Sequence, residues 1–367
     1  MRSIIFHCPF ILNDSAKSAS GIRPIKMLEA FKAIGCDVDL ISGSSLERKK
    51  IINKIKQKIK EGKKYDFVYS ESSTMPNALT DSHHFPIRPL VDYNFFKLMK
   101  RNNIPVGLFY RDVYWLFSNY GNHLPWYKKE LALFFYRQDL AMYNKFVEKL
   151  YLPSLNMAKY IKINKKDIFD DLPPAHDMND YSHIVSYKKE LKLLYIGGIG
   201  PDYKMHKLIE ALRLNSKVKL ILCTRENDWN LVKSEYGDLP ENVEIVHKSG
   251  SELKQLYKES HIATLFVEPH EYREFAVPFK LYEYLGMNKP ILCTQPSLVG
   301  NFVREKGIGW AINYDVDDLV DFFDNFSEEK LSQVIERVLT VKSQETWEIR
   351  AKKVVADLSK TKENLYK

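Results

Sequence analysis

The feature that most constrains the fold is an alternation, run through twice, of short apolar runs with longer amphipathic stretches. Ile4-Ile5-Phe6 is followed by an amphipathic segment from Pro24 to Ile34 and then by Val38-Asp39-Leu40-Ile41. This order reads as strand, helix, strand, and repeated units of that kind build a parallel sheet with crossover helices. Phe67-Val68-Tyr69, Pro105 to Tyr110 and Lys149 to Leu152 predict further strands, with helices over Tyr93 to Arg101 and Trp126 to Phe146. Between Lys165 and Lys189 the pattern lapses into Asp170-Asp171-Leu172-Pro173-Pro174 and a polar stretch, the composition of an interdomain linker. It then restarts. Leu191 to Ile196, Val218 to Cys223, Val243 to Val246, Ile262 to Val267 and Pro290 to Cys293 read as strands, with helices over His206 to Leu212, Glu252 to Glu259 and Phe279 to Leu285. The Lys- and Glu-rich end from Glu328 to Lys360 reads as one or two amphipathic helices. The expectation is an α/β chain of two doubly wound, Rossmann-like domains: residues 1–170, a linker over 171–189, a second domain over 190–340, and a terminal helix within 341–367 that could pack back on the first domain.

With 367 residues, 45% of them apolar, the chain is long enough for two cores. Its four cysteines, Cys8, Cys36, Cys223 and Cys293, lie far apart in or beside apolar stretches, with no CxxC pair and no histidine at metal-ligand spacing, and are expected to be reduced and buried. Ser3 to Leu12 imitates the apolar centre of a signal peptide, but His7 and Pro9 break it and no cleavage site follows, so a first strand is the better reading. Nothing approaches the ~20 uninterrupted apolar residues of a membrane-spanning helix. Arg48 to Lys64 carries nine Lys or Arg against one Glu, a surplus equal to the formal charge of the whole chain, +8. A charge so localised speaks against a general nucleic-acid-binding surface and for one electrostatic patch. Ile51, Ile52, Ile55 and Ile59 share one helical face there, with Lys49, Lys50, Lys54, Lys56, Lys58 and Lys60 covering the others. The isoleucines can pack on a sheet while the lysines meet anionic lipid.

Four segments carry chemistry. Leu191 to Gly200 is a strand running into Gly197, Gly198 and Gly200 ahead of a helix, a turn that can present backbone N–H groups to a diphosphate, although such turns also serve tight packing alone. In Glu274 to Leu292, Pro278 suits a helix start, and Lys280 and Glu283 at i and i+3 share a face where a carboxylate can hydrogen-bond two ribose hydroxyls; the alternative is an ordinary surface ion pair. The strand Pro105 to Tyr110 ends in Arg111-Asp112-Val113-Tyr114-Trp115, at the edge of a parallel sheet where ligands gather. There Asp112 either orients an acceptor hydroxyl or caps its own loop with Arg111. Near the start, Gly21 within Ser18 to Pro24 is placed to close on a diphosphate from the first domain.

The run PFKLYEYLGMNKPIL resembles the nucleotide-sugar-binding segment of GT-B glycosyltransferases, particularly the retaining family 4, and YIGGIGPDYKMHKLIEAL resembles that family's first C-terminal strand, turn and helix. The resemblance covers the second domain well and the first loosely. It implies two facing domains with a cleft between them, Glu283 on the donor ribose, Gly197 and Gly198 along the diphosphate, and Lys204 at or one place past the family's phosphate-binding lysine. Where the family has an arginine after the first glycine, this chain has Gly198, and Arg225 in Thr224-Arg225-Glu226 is the candidate substitute, its alternative being a solvated loop arginine. The family's first glutamate would fall at Phe275; Glu274 is one residue off, and Glu268 and Glu271 lie in the same loop. Asp112 matches the aspartate of a His-Asp pair whose histidine is here Arg111.

The expected activity is transfer of a sugar from a nucleoside diphosphate sugar, with UDP the expected nucleotide, to an acceptor hydroxyl, with retention, without an obligatory metal or other cofactor. The acceptor is expected to be a lipid-linked or cell-surface glycan precursor and the location cytoplasmic, at the inner face of the membrane, with no nucleic-acid partner. Two other classes stay open: a GT-B epimerase or phosphorylase, and a non-enzymatic membrane or nucleic-acid binder using Arg48 to Lys64 alone.

Overall fold

The computed structural model describes all residues except 16–17, 179–182, 186, 188–189, 202 and 366–367. The chain forms two compact units, Met1–Pro174 with Trp347–Lys367, and Ala175–Thr346.

In the first unit the elements follow as β1 (Arg2–His7), α1 (Ala19–Ala33), β2 (Cys36–Ile41), α2 (Ser45–Lys60), β3 (Phe67–Glu71), α3 (Val91–Arg101), β4 (Val106–Phe109), α4 (Trp126–Phe146), β5 (Lys149–Leu152) and β6 (Phe169–Asp171). The sheet is parallel throughout, in the order β2-β1-β3-β4-β5-β6. Strands β3 and β4 are buried along their whole length, as the near-continuous apolar runs of a doubly covered parallel sheet must be. Helix α1 begins at Ala19, ahead of the expected Pro24, because the Ser18 carbonyl accepts from both Gly21 and Ile22 and starts the first turn before the proline is reached. The segment read as linker opens with an edge strand, β6, which pairs with β5 in parallel. Its apolar signal is missing because Asp170 faces Lys149 and Lys353 instead of a core.

The second unit runs β7 (Leu191–Ile196), α5 (His206–Leu214), β8 (Val218–Cys223), α6 (Glu226–Tyr236), β9 (Val243–Val246), α7 (Leu253–Glu259), β10 (Ile262–Leu265), α8 (Phe279–Gly286), β11 (Ile291–Gln295), α9 (Leu298–Lys306), β12 (Gly309–Asn313), α10 (Val316–Asp324) and α11 (Glu328–Lys342). Its sheet is again all parallel, ordered β12-β11-β10-β7-β8-β9, with the strand order reversing between β7 and β10. Strand β12 was not among the sequence expectations. It opens on Gly309, where a Cβ would stand 1.9 Å from the Ile291 carbonyl oxygen, so the register with β11 requires glycine there. The last helix, α12 (Trp347–Leu365), belongs to the first unit and packs on α1, β3 and β4. Gly107 in β4 leaves room for it: a Cβ there would meet Leu358 at 2.8 Å.

The basic stretch is a helix with a Ser44/Glu47 capping box. Ile52 and Ile55 are buried and Ile51 and Ile59 half-buried, so the apolar face is spent on the unit's own core. Arg48 is not part of the basic surface: 1% exposed, it donates to both Asp92 carboxylate oxygens at 3.0 and 3.1 Å and to the carbonyls of Pro9 and Gly43. His7 Nε2 lies 3.0 Å from Asp92 Oδ1 and its Nδ1 2.8 Å from Ser70 Oγ, completing a buried network at the end of β1. Burial lowers the pKa of this imidazole against the opposite pull of Asp92. Lys58 and Lys63 are also occupied, by Asp39 of the neighbouring edge strand. Burial alone would raise that carboxyl, but hydrogen bonds from Lys58, Tyr65 and Lys63 bring it down to about 2. Lys49, Lys50, Lys54, Lys56 and Lys60 remain exposed. Of the cysteines, all free, Cys8, Cys223 and Cys293 are buried and Cys36 only half so.

Between α8 and β11, Asn288 adopts a left-handed φ of 57° and Lys289, 2% exposed, donates from Nζ to the Ser260 carbonyl at 2.6 Å. Burial pushes this ammonium down to about 7.

Arg48→Ala strands Asp92 and His7 in the interior, and chemical denaturation is expected to show a loss of about 3–5 kcal/mol, against less than ~0.5 kcal/mol for the exposed Lys54→Ala. A second outcome follows from Lys289. Its folded pKa lies below its unfolded one, so between about 7 and about 10.4 the unfolded chain binds more protons and this lysine's cost to stability fades as pH rises. The unfolding free energy of the wild type relative to Lys289→Met should therefore climb over that window and be flat below it; a pH-independent difference would refute the buried-ammonium assignment.

Candidate functional site

In a parallel sheet every loop that follows a strand emerges on one edge, and ligands gather there beside the point where strand order reverses. In the second unit that edge carries the turn after β7, the Thr224-Arg225 step after β8, and the loop after β10 that leads into α8. The link between them is Tyr284, a buried residue of α8 whose hydroxyl accepts from the Ile196 N–H at 2.8 Å and reaches the Ile196 carbonyl at 3.3 Å. It anchors α8, the helix that also carries Lys280 and Glu283, to the last residue of β7, directly ahead of the Gly197-Gly198 turn.

On α8, Lys280 donates to Glu283 Oε2, the expected i,i+3 pair, with both side chains partly solvent-accessible. Lys280 also stands close enough to β8 to lower the pKa of Cys223 against the larger upward push of burial. Gly197 departs from expectation in one respect. Its N–H is spent on the Cys223 carbonyl at 3.0 Å, extending the β7–β8 ladder by one residue, so it is not available to a phosphate. The Gly198 carbonyl is held by the Tyr195 hydroxyl at 2.6 Å, and Gly198 faces open space, a Cβ there meeting only Asp228 Oδ2 at 3.8 Å. Arg225 occupies the N-cap position of α6, 83% exposed, and pairs with the same Asp228 at 3.3 Å. The structure thus brings Gly198 and Arg225 together through an aspartate that sequence reading did not single out. An acid at the third position of a helix behind an arginine was the available signal.

Lys204 is half-buried, and its carbonyl accepts from Glu268 N–H at 2.9 Å and from the Tyr314 hydroxyl at 3.4 Å, which ties the end of the β7 turn to the loop after β10. Glu274 is exposed at the end of a short helical turn, Glu271–Glu274, while Phe275, where the family's first glutamate would fall, is buried. Thr224 is buried at the end of β8 with a hydroxyl that has no hydrogen-bond partner.

The first unit has its own edge. Gly21 lies in the first turn of α1 and lines, with Ser18, Ser20, Ser73, Thr74 and Arg111, a recess of about 200 Å³ at the switch point between β1 and β3. Asp112 does not pair with Arg111 in a loop cap as one reading had it. Its Oδ1 accepts from Tyr114 N–H at 2.9 Å, whereas Arg111 turns inward to Glu71. Glu71, fully buried at the end of β3, receives Arg111 and Arg23 at 3.2 Å each and the Tyr69 hydroxyl at 2.7 Å. The sequence reading did not single out Glu71; a glutamate closing the strand that starts Phe67-Val68-Tyr69 was the available signal.

Residues 180–353 match the profile of the family described as glycosyl transferases group 1. Among solved structures, HepE of Anabaena, determined with UDP and glucose, superposes with a TM-score of 0.61 at 13% identity, covering 98% of this chain and 100% of that one. A glycosyltransferase of Rickettsia africae gives 0.64 at 14%, with 98% of each chain covered, and a sucrose-phosphate synthase of Thermosynechococcus elongatus 0.60 at 11%, covering 97% and 98%. No functionally curated protein matches the chain in sequence. At such identities the superpositions establish the fold, which is GT-B over nearly the whole chain. The family profile falls mostly on the second unit and, together with this fold, supports a transferase enzyme of the glycosyltransferase type.

Proposed function

We propose that this enzyme moves a sugar from a UDP-sugar to an acceptor hydroxyl with retention of configuration and without a metal, the second unit taking the donor and the first the acceptor. The observation that supports the reading is the Tyr284 anchor, which ties α8, the helix carrying Lys280 and Glu283, to the end of β7 just ahead of the open Gly198 position. Glu283 then accepts hydrogen bonds from the two ribose hydroxyls, leaving Lys280, Lys204 and Arg225 to meet the diphosphate charge. HepE, solved with UDP-glucose, supports UDP as the nucleotide. Departure of the diphosphate is eased by those cations and by the Gly198 amide, and Asp112 orients the acceptor. The acceptor on this reading is a lipid-linked or cell-surface glycan precursor, because five exposed lysines of α2 form a patch for an anionic membrane. No helix among the described residues is long and apolar enough to cross a membrane, and the isoleucine face of α2 is occupied, so attachment would be electrostatic.

Calorimetric titration with UDP, GDP and ADP should show saturable binding of UDP, weakened about 10- to 100-fold in Glu283→Ala by loss of the charge-assisted bonds to the ribose. Equal affinity in the variant, or no nucleotide binding, would sink the donor-site reading. Co-sedimentation with phosphatidylserine vesicles should fall roughly 100-fold in affinity when Lys54, Lys56 and Lys60 are changed to glutamine, at ~1 kcal/mol for each charge. Binding indifferent to these changes or to salt would remove the membrane from the proposal.

A further inference from the structure

Beside the recess at the β1/β3 switch point, two guanidinium groups share one carboxylate. Glu71 supplies one negative charge to two guanidinium groups. Arg23 is turned away from solvent, 3.5 Å over the Phe109 ring, with Nη1 on the Pro173 carbonyl. Arg111, its side chain 9% exposed, donates from Nε to the Ser72 carbonyl at 3.1 Å and from Nη2 to Glu71 at 3.2 Å. Among the described residues its Nη1 has no hydrogen-bond partner, and Arg111 is the one charged residue that lines the recess. The other polar side chains there are the hydroxyls of Ser18, Ser20, Ser73 and Thr74 and the amide of Asn13, and no carboxylate is among the described residues that line it. The first turn of α1 adds the partial positive charge of a helix start, and Ser18 supplies no side-chain cap to its free N–H groups. A rigid, desolvated guanidinium with one open donor, a surplus positive charge behind it and hydroxyls around it is a receptor for an anion.

We infer that this recess binds an anionic group of the acceptor, a phosphate ester or a carboxylate, so that the acceptor is a charged saccharide or saccharide carrier. The inference rests on the glycosyl-transfer reading above. It assigns the anion to the acceptor because the donor diphosphate already has Lys204, Lys280 and Arg225 on the second unit. Arg111 is on this account a specificity-determining residue, holding the acceptor through its anion while the hydroxyl to be glycosylated reacts.

The test is calorimetric titration of the full chain, saturated with UDP, with inorganic phosphate and separately with acetate. Either anion should bind, phosphate the tighter if the acceptor is a phosphate ester and acetate if it is a carboxylate. Affinity should drop about tenfold or more in Arg111→Gln and be partly kept in Arg111→Lys, the effect of losing one charge-assisted hydrogen bond. Should Arg111→Gln fail to fold, Ser20→Asp puts a carboxylate into the recess from the first turn of α1, where an acid favours the helix, and is expected to abolish anion binding. Unchanged affinity in these variants, or no binding of either anion, overturns the inference. So does displacement of phosphate by UDP, which would make the recess a donor subsite. A titration with UDP alone separates the two readings: UDP bound but no anion condemns only the acceptor assignment, and anion bound without UDP condemns the donor site.

Discussion

The constraint on which the rest of this structure depends is that parallel strands cannot be joined directly. Each must be followed by a crossover, so every strand end of one sheet emerges on the same edge, and the apolar runs between are buried on both faces. Side chains far apart in sequence meet there without any long-range contact designed for them. Tyr284 on the Ile196 backbone and the Lys204 carbonyl on the Glu268 N–H are contacts of that edge in the second unit. Arg111 on Glu71 and the first turn of α1 are its counterparts in the first.

Both units also hold charge in their interiors, and the price is met by multiplying partners. Asp92 is shared between Arg48 and His7, and Glu71 between Arg23, Arg111 and Tyr69. The two clusters differ in balance. Asp92 with Arg48 is neutral when His7 is unprotonated, which burial favours, so it behaves as a structural pin between β1, α2 and α3. The Glu71 cluster keeps one positive charge and one guanidinium N–H open to a recess. Desolvated charge without a partner is costly, and a site that tolerates it in the free protein is preorganised for a ligand of the opposite sign.

Helix α2 shows why composition alone misjudges a surface. Its lysines and isoleucines have a plain helical period, and the isoleucines pack inward as that period requires. The net charge it shows to solvent was not in the helix itself, because Asp39 on β2 takes up Lys58 and Lys63 and the interior takes up Arg48. Those partners lie on other elements and enter only when the chain folds.

The sequence by itself determined the double α/β plan and the exact spans of several elements, α4, β5, β7, β8 and β9 among them, because apolar periodicity and turn residues are local signals. It also singled out Lys280 and Glu283, whose spacing lies within one helical turn. It missed β6 and β12, edge strands whose backbone pairing is compensated by an ion pair or a glycine rather than by an apolar run. Tertiary structure alone decided that the Gly197 amide is consumed by β8, that Asp112 caps its own loop while Arg111 turns to Glu71, and that Asp228 joins Gly198 to Arg225. The Gly197 and Arg111 contacts join strand ends distant in the chain, and a pairing of that kind leaves no period in the sequence to read.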